Sequence, residues 1–313
     1  MGIRFYKEPE LKRPDLICGW PGIGSIGIMA VDYLRRALAA EEFGEIEPWD
    51  LFEPRKVIIT DGLLKDLEFP SNKLYYQRLG KKDLLFFLGE EQPAEGTRLY
   101  ATGEKAYKTA NLVLDVAEKF GSQRVYTSGA AVTQTHHTLK PRVWAVPNTE
   151  ELIDEVRDYE NTVLMSEIEG RRGQGAITGL NGLLLGVARK RGIKALCLMG
   201  EIPYYLHTSP WPYPKASKSV LEVLTGVIGI DIDLIPLGEL AKKTDESIEA
   251  FLTSLYEAEA IPPQIRNEIR ASIEKMKYVT KSPGPITEED QKRIIEHIDE
   301  FFKRGEKENE RGS

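Results

Sequence analysis

From the N-terminus to about residue 235, short apolar runs alternate with stretches where apolar residues return every three or four positions. The first pattern suits buried strands, the second helices that lay one face on a sheet. Asp15–Gly19 predicts a buried strand, then a glycine-rich turn and a helix over about 25–38. Strands are predicted at 57–60, 73–79 and 84–89, and the alternation in the second suits a half-exposed position. Thr102 stands at the N-cap of a helix that aligns Ala106, Ala110, Val113, Leu114 and Ala117 on one face, and Gly121 suits its end. Strands at 124–127 and 143–146 precede a helix over about 177–191, which turns Leu180, Leu183, Leu184 and Val187 inward and stops at Gly192. The unbroken apolar run 195–199 reads as a central parallel strand covered on both faces. A helix over about 215–227 closes this part.

After Pro236 the pattern is helical throughout. Ile248, Phe251, Leu252 and Leu255 define one helix, which Pro262 and Pro263 should terminate. Ile265, Ile269, Ile273 and Met276 define a second. Thr287 and Asp290 resemble a capping box for a third, with Ile294, Ile295, Ile298 and Phe301 on its inner face. The predicted organisation is an α/β core domain over 1–235, a helical C-terminal extension over 236–304, and a charged, disordered tail over 305–313. The extension either covers the core of its own chain or packs on another subunit.

Composition narrows the function. Of 313 residues, 41% are hydrophobic and 29% charged, ordinary for a folded globular chain. A formal net charge of -7 with no Lys/Arg cluster argues against a nucleic-acid partner. No stretch reaches the ~20 apolar residues of a membrane span, and the first 14 residues lack a signal-peptide core. Cys18 and Cys197, both in apolar strands and without a CxxC partner, suit a reducing, cytoplasmic compartment.

Four polar blocks carry candidate chemistry. Gly19-Trp20-Pro21-Gly22-Ile23-Gly24-Ser25-Ile26-Gly27 contains a GxGxxG between strand and helix, with Glu45, Glu47 and Asp50 about 20 residues on. Gly22, Gly24 and Ser25 are candidate anion ligands through backbone N–H groups at a helix N-terminus. The alternative is a tight turn in which Gly27 permits close packing. The block from Thr127 to His137 follows a strand, where open α/β sheets hold ligands. There Ser128 or Thr133 could bind a substrate, and His136 could move a proton; adjacent His136 and His137 should point apart. Glu167 and Glu169 beside Arg171 and Arg172 suit a surface ion-pair network, and Asn181 lies in the glycine-rich entry to the next helix. Glu201, just past the central strand, is the other acid–base candidate. Tyr204, Tyr205, Trp211 and Tyr213 suit a pocket wall or a partner contact. There is no GxxxxGK[ST] loop, no HExxH and no CxxC. No metal or cofactor follows from these blocks.

Three blocks in order resemble the proteasome assembly chaperone 2 family: 19–27, the helix entry Gly175-Ala176-Ile177-Thr178-Gly179-Leu180-Asn181-Gly182-Leu183-Leu184, and Leu198-Met199-Gly200-Glu201. The match spans about 12–235. It departs at Ser25 and Ile26, where the family more often has apolar residues, and in the extra C-terminal helices. The resemblance implies a three-layer α/β/α core similar to nucleoside phosphorylases and a homo-oligomer, commonly a trimer. Eukaryotic and archaeal members assist proteasome assembly, some through a C-terminal hydrophobic-Tyr-x tail. This chain ends Asn309-Glu310-Arg311-Gly312-Ser313, without that motif. Some prokaryotic members carry the label ATP-grasp carboxylate–amine ligase, but the nucleotide-binding Lys and Mg²⁺-binding Glu/Asn set that label needs is not evident. The family supplies no catalytic residues to transfer. The expectation is an oligomeric interaction or assembly protein with a protein partner. The alternative is an enzyme or sensor for a small anionic metabolite, such as a nucleoside or nucleotide, lined by Gly24, Ser25, Ser128, Thr133, Asn181 and Glu201. A dehydrogenase would further need Glu47 or Asp50 to reach a ribose beside 22–27.

Overall fold

The computed structural model describes residues 2–94, 101–164 and 175–278. The helix expected from Thr287, the Glu167–Glu169 pair with its arginines, and the charged tail lie outside the described residues. In chain order the elements begin with β1 (Ile3–Phe5), β2 (Asp15–Gly19), α1 (Ile26–Ala37), β3 (Glu41–Ile46), β4 (Lys56–Thr60) and β5 (Leu63–Glu68). They continue with β6 (Asn72–Gln77), β7 (Leu84–Gly89), α2 (Gly103–Lys119), β8 (Val125–Thr133), β9 (Val143–Pro147) and α3 (Glu150–Arg157). Next come β10 (Thr162–Leu164), α4 (Gly179–Lys190), β11 (Ala195–Pro203), α5 (Pro214–Ile228), α6 (Ile235–Glu257) and α7 (Pro263–Lys275).

Nine strands form one mixed sheet in the order β1-β3-β6-β7-β2-β8-β11-β9-β10. Its centre, β7-β2-β8-β11, is parallel. β6, β3 and β1 extend one side antiparallel, while β9 runs antiparallel to β11 and carries β10 beside it. Each central strand feeds two cores because successive side chains point to opposite faces. Cys18, Phe87 and Trp144 pack with Val113 of α2 and Leu184 of α4. Ile17, Phe86 and Tyr126 pack with Val31 of α1, Val220 of α5 and Leu252 of α6. This double burial is why β2 and the first half of β11 read as unbroken apolar runs, and it makes the chain a three-layer α/β/α protein. Leu237, Ala241, Ile248 and Leu252 of α6 and Ile273 of α7 belong to the second core: α6 packs on α5 of its own chain, and α7 packs on α6.

Several elements depart from the pattern-based expectation. β8 runs on to Thr133 and β11 to Pro203, so Ser128, Thr133 and Glu201 lie within strands, not in loops beyond them. Gly129 and Gly200, poor strand formers, are tolerated there because neighbours press on them: a Cβ on Gly129 would lie 2.5 Å from Asn181 Nδ2, and one on Gly200 2.9 Å from the Ala216 carbonyl oxygen. Thr102 occupies the N-cap of α2 without making a side-chain cap bond. Pro262 and Pro263 do not stop the first C-terminal helix, which ends at Glu257. Pro263 instead opens α7, where its missing N–H has no helical partner to lose. Among the described residues no helix is long and apolar enough to cross a membrane.

Candidate functional site

β2, β8 and β11 are parallel, so their carboxyl ends and the polar blocks around them share one edge of the sheet. The glycine block enters this edge as a single 3-10 turn, Ile23–Ser25, before α1 begins. Gly24 has φ +58°, and the Ser25 amide donates to the Gly22 carbonyl at 2.9 Å. The turn is pinned from above: Tyr213 donates its amide to the Gly24 carbonyl at 2.7 Å, and a Cβ on Gly24 would lie 3.0 Å from Ile202 Cδ1. Gly27 lets α1 lie directly on β8, with the Ser128 carbonyl oxygen 2.1 Å from where a Cβ would stand. The glycines therefore serve close packing here. Gln92, which sequence reasoning missed, bridges two blocks, donating to the Pro21 carbonyl at 2.7 Å and accepting the Leu180 amide at 3.1 Å. No sequence pattern marks it.

Glu201 is 1% exposed and fully engaged. Its carboxylate accepts from Arg142 Nη2 at 2.8 Å, from Arg142 Nε at 3.2 Å, from the Arg142 amide at 3.0 Å and from Trp144 Nε1 at 3.0 Å. The guanidinium sits 5.7 Å over the Trp144 ring. Four donors around one buried carboxylate make it a structural ion pair joining β11 to β9. The dehydrogenase geometry is not met, because β3 stands three strands from β2, roughly 14 Å away at sheet spacing. Glu47 accepts the Gly2 amide instead, and Asp50 pairs with Lys108.

His136 and His137 do not point apart. They follow β8 in a loop, and their ring centroids are 4.3 Å apart. His137 Nδ1 lies 2.7 Å from Tyr205 Oη and Nε2 2.7 Å from Glu249 Oε1. Lys215 donates to the His137 carbonyl at 2.6 Å and to Asp245 at 2.7 Å. This network ties the β8 loop and the post-β11 loop to α6. Three of the aromatics are also engaged within the chain. Tyr213 is buried, Tyr205 belongs to the histidine network, and Trp211 packs edge-on against Phe251 of α6 at 5.2 Å. Tyr204 stacks on His207 at 4.9 Å and is half-buried.

The edge still holds buried polar atoms without hydrogen-bond partners among the described residues: Ser128 Oγ, Thr133 Oγ1, Asn181 Oδ1 and Trp20 Nε1. Thr133 and Asn181 reach the α4 side of the sheet, while Ser128 faces α1. Among the described residues an open groove of about 680 Å³ lies elsewhere, between α1 and the first half of α6; of the proposed ligand-binding residues only Ser25 lines it. Both thiols are free and buried, and burial pushes Cys197 up to about 12, so neither is a nucleophile at neutral pH.

Burial, reinforced by His137 and Lys277, lowers the His136 pKa to about 4. The unfolded ring titrates near 6.5, so between these values the unfolded chain binds the extra proton and acid favours it. The stability this histidine contributes is complete above about pH 6.5 and is lost as pH falls toward 4. From pH 7 to pH 5 the loss should be about 2 kcal/mol. Urea unfolding at the two pH values should show it, and His136→Gln should remove most of the difference.

Comparison with known proteins gives a consistent result. The PAC2 family model matches residues 16–252. PbaB of Pyrococcus furiosus, an archaeal proteasome activator, is 30% identical, covers 80% of this chain and 97% of its own, and superposes with a TM-score of 0.66. An uncharacterized protein of Methanocaldococcus jannaschii is 29% identical over 267 residues, 84% of this chain and 93% of that protein. PbaA of P. furiosus, an archaeal homolog of proteasome-assembly chaperone, shares the fold at 21% identity and a TM-score of 0.56, covering 88% of this chain and 98% of its own.

Proposed function

Because this chain belongs to the PAC2 family, we propose that it is an oligomeric assembly or interaction factor whose protein partner is the proteasome core particle. The observation that carries this is the likeness to PbaB at 30% identity, which extends over nearly all of that activator. The internal engagement of Glu201, Tyr213 and the glycine turn supports it, since groups held by four donors or by packing have little left to offer a substrate. The same reading places the protein in the cytoplasm, where its two thiols stay free, and makes it a homo-oligomer, with a trimer favoured by the family resemblance. Purified protein mixed with an archaeal core particle should co-sediment with it and raise its hydrolysis of fluorogenic peptides severalfold. Free sedimentation of the two, with unchanged peptide hydrolysis, would overturn the reading.

A further inference from the structure

β4 and β5 form a two-stranded hairpin apart from the main sheet. A bulge at Lys65 sets the register: Val57 opposes Leu67, Ile58 opposes Asp66 and Ile59 opposes Leu64. Val57, Ile59, Leu64 and Leu67 therefore share one face. The first three are 49%, 66% and 62% exposed, the largest group of exposed apolar side chains among the described residues. At its base Trp49 packs edge-on against Phe69 at 4.7 Å, and Leu67 beside it is half-buried. Two strands alone are marginal in water, and soluble surfaces seldom leave such a patch without a partner.

The two edges of the hairpin differ. β5 carries the usual guards against pairing with another chain, a bulge at Lys65 with Asp66 and Glu68 beyond it. Every two-fold register centred from Lys65 to Leu67 would also set like charges side by side. β4 has no guard between Lys56 and Asp61: Val57-Ile58-Ile59-Thr60 is uncharged, β-branched and free of proline. It is also self-complementary. A two-fold axis through Ile58, normal to the sheet, sets Ile58 against Ile58 of a second copy and Val57 against its Ile59. Lys56 then meets Thr60. Arg55, which also holds Glu90 and Glu91, stands opposite Asp61, for which no ion pair appears among the described residues. The pairs within β4 have matching faces, as an isologous antiparallel seam requires, while Arg55 and Asp61 lie just beyond its two ends.

We propose that β4 is a homotypic docking edge, pairing with β4 of a second copy across a two-fold axis at Ile58 to make a four-stranded sheet. Each seam gains two Val57–Ile59 cross-strand contacts and one between the Ile58 side chains. If the protomers are trimers, the same axis joins two rings into a hexamer. The contact does not rest on the proteasome reading, and its test contains no core particle.

Directly opposite residues in an antiparallel pair have Cα atoms about 4.5 or 5.5 Å apart, inside the range a disulfide spans. Ile58→Cys under mild oxidation should therefore give a reducible covalent dimer as the main species, at least tenfold more than Leu63→Cys, a comparably exposed site on β5. The native cysteines are buried and contribute no background. Ile58→Lys, which sets two like charges on the axis, should halve the sedimented mass while leaving the far-UV circular dichroism unchanged. The proposal is overturned if neither cysteine variant crosslinks, if both do so equally, or if Ile58→Lys sediments like the wild type.

Discussion

Gly27→Ala should be among the most damaging single changes in this chain, lowering stability by about 3 kcal/mol or more. The added methyl would stand 2.1 Å from the Ser128 carbonyl oxygen and 2.7 Å from its carbon, less than any real carbon contact. Neither partner can give way by a side-chain rotation. The oxygen is backbone in β8, between β2 and β11, and α1 is held to the sheet by Ile26, Ala30, Val31 and Leu34. Accommodation requires α1 to lift from β8, which would open the second core. Gly186→Ala is the matched control: it lies within α4 with nothing within 4 Å of a new Cβ. There alanine should stabilise by up to about 1 kcal/mol, because a helix-interior glycine adds backbone entropy to the unfolded chain. Urea midpoints measured side by side would give opposite signs. A tolerated Gly27→Ala would mean that α1 sits higher on the sheet, and that the glycine block owes its character to something other than packing.

That comparison shows which features the sequence made legible. Elements whose burial is one- or two-sided by residue pattern were readable: β2, β7, α2, α4 and α5 match within a few residues. The alternation at 73–79 correctly marked β6, with buried Asn72, Leu74 and Tyr76 separated by half-buried neighbours. Where long-range contacts override local preference, pattern reading failed. β3 reads as polar because Glu41, Glu42 and Glu45 flank Phe43 and Ile46, and only pairing with β1 and β6 makes it a strand. β8 and β11 extend through glycines that break the local pattern but match the neighbours pressing on them. At the candidate site, the polar blocks after β2, β8 and β11 share one edge because parallel strands put their carboxyl ends together. What those groups touch was not readable. Arg142 and Trp144 are 59 and 57 residues from Glu201, and Glu249 is 112 from His137. A side chain free to act on a substrate and one satisfied by a distant strand look the same in a linear chain.

Glu201 tests that distinction most sharply. Removing its carboxylate should destabilise the chain by about 3 kcal/mol, the lower end for breaking a buried ion pair, because Arg142 is partly exposed and can turn to water. Trp144 cannot turn, since its ring is 1% exposed, so Glu201→Ala leaves the indole N–H buried without an acceptor. Glu201→Gln should lose only about 1–2 kcal/mol, since the amide oxygen still accepts from the indole while the charge opposite Arg142 is gone. Pairing each with Trp144→Phe separates the contributions. The indole bond should appear as a coupling in the double-mutant cycle with Glu201→Ala and largely vanish with Glu201→Gln. If the carboxylate belongs to the fold alone, Glu201→Gln should co-sediment with the proteasome core particle to the same extent as the unsubstituted chain, in the assay that tests the proposed function. The opposite pattern, wild-type stability with Glu201→Ala but lost function with Glu201→Gln, would mean that the carboxylate contributes its charge or its proton to a partner. It would also return the carboxyl edge of the sheet to consideration as a chemical site.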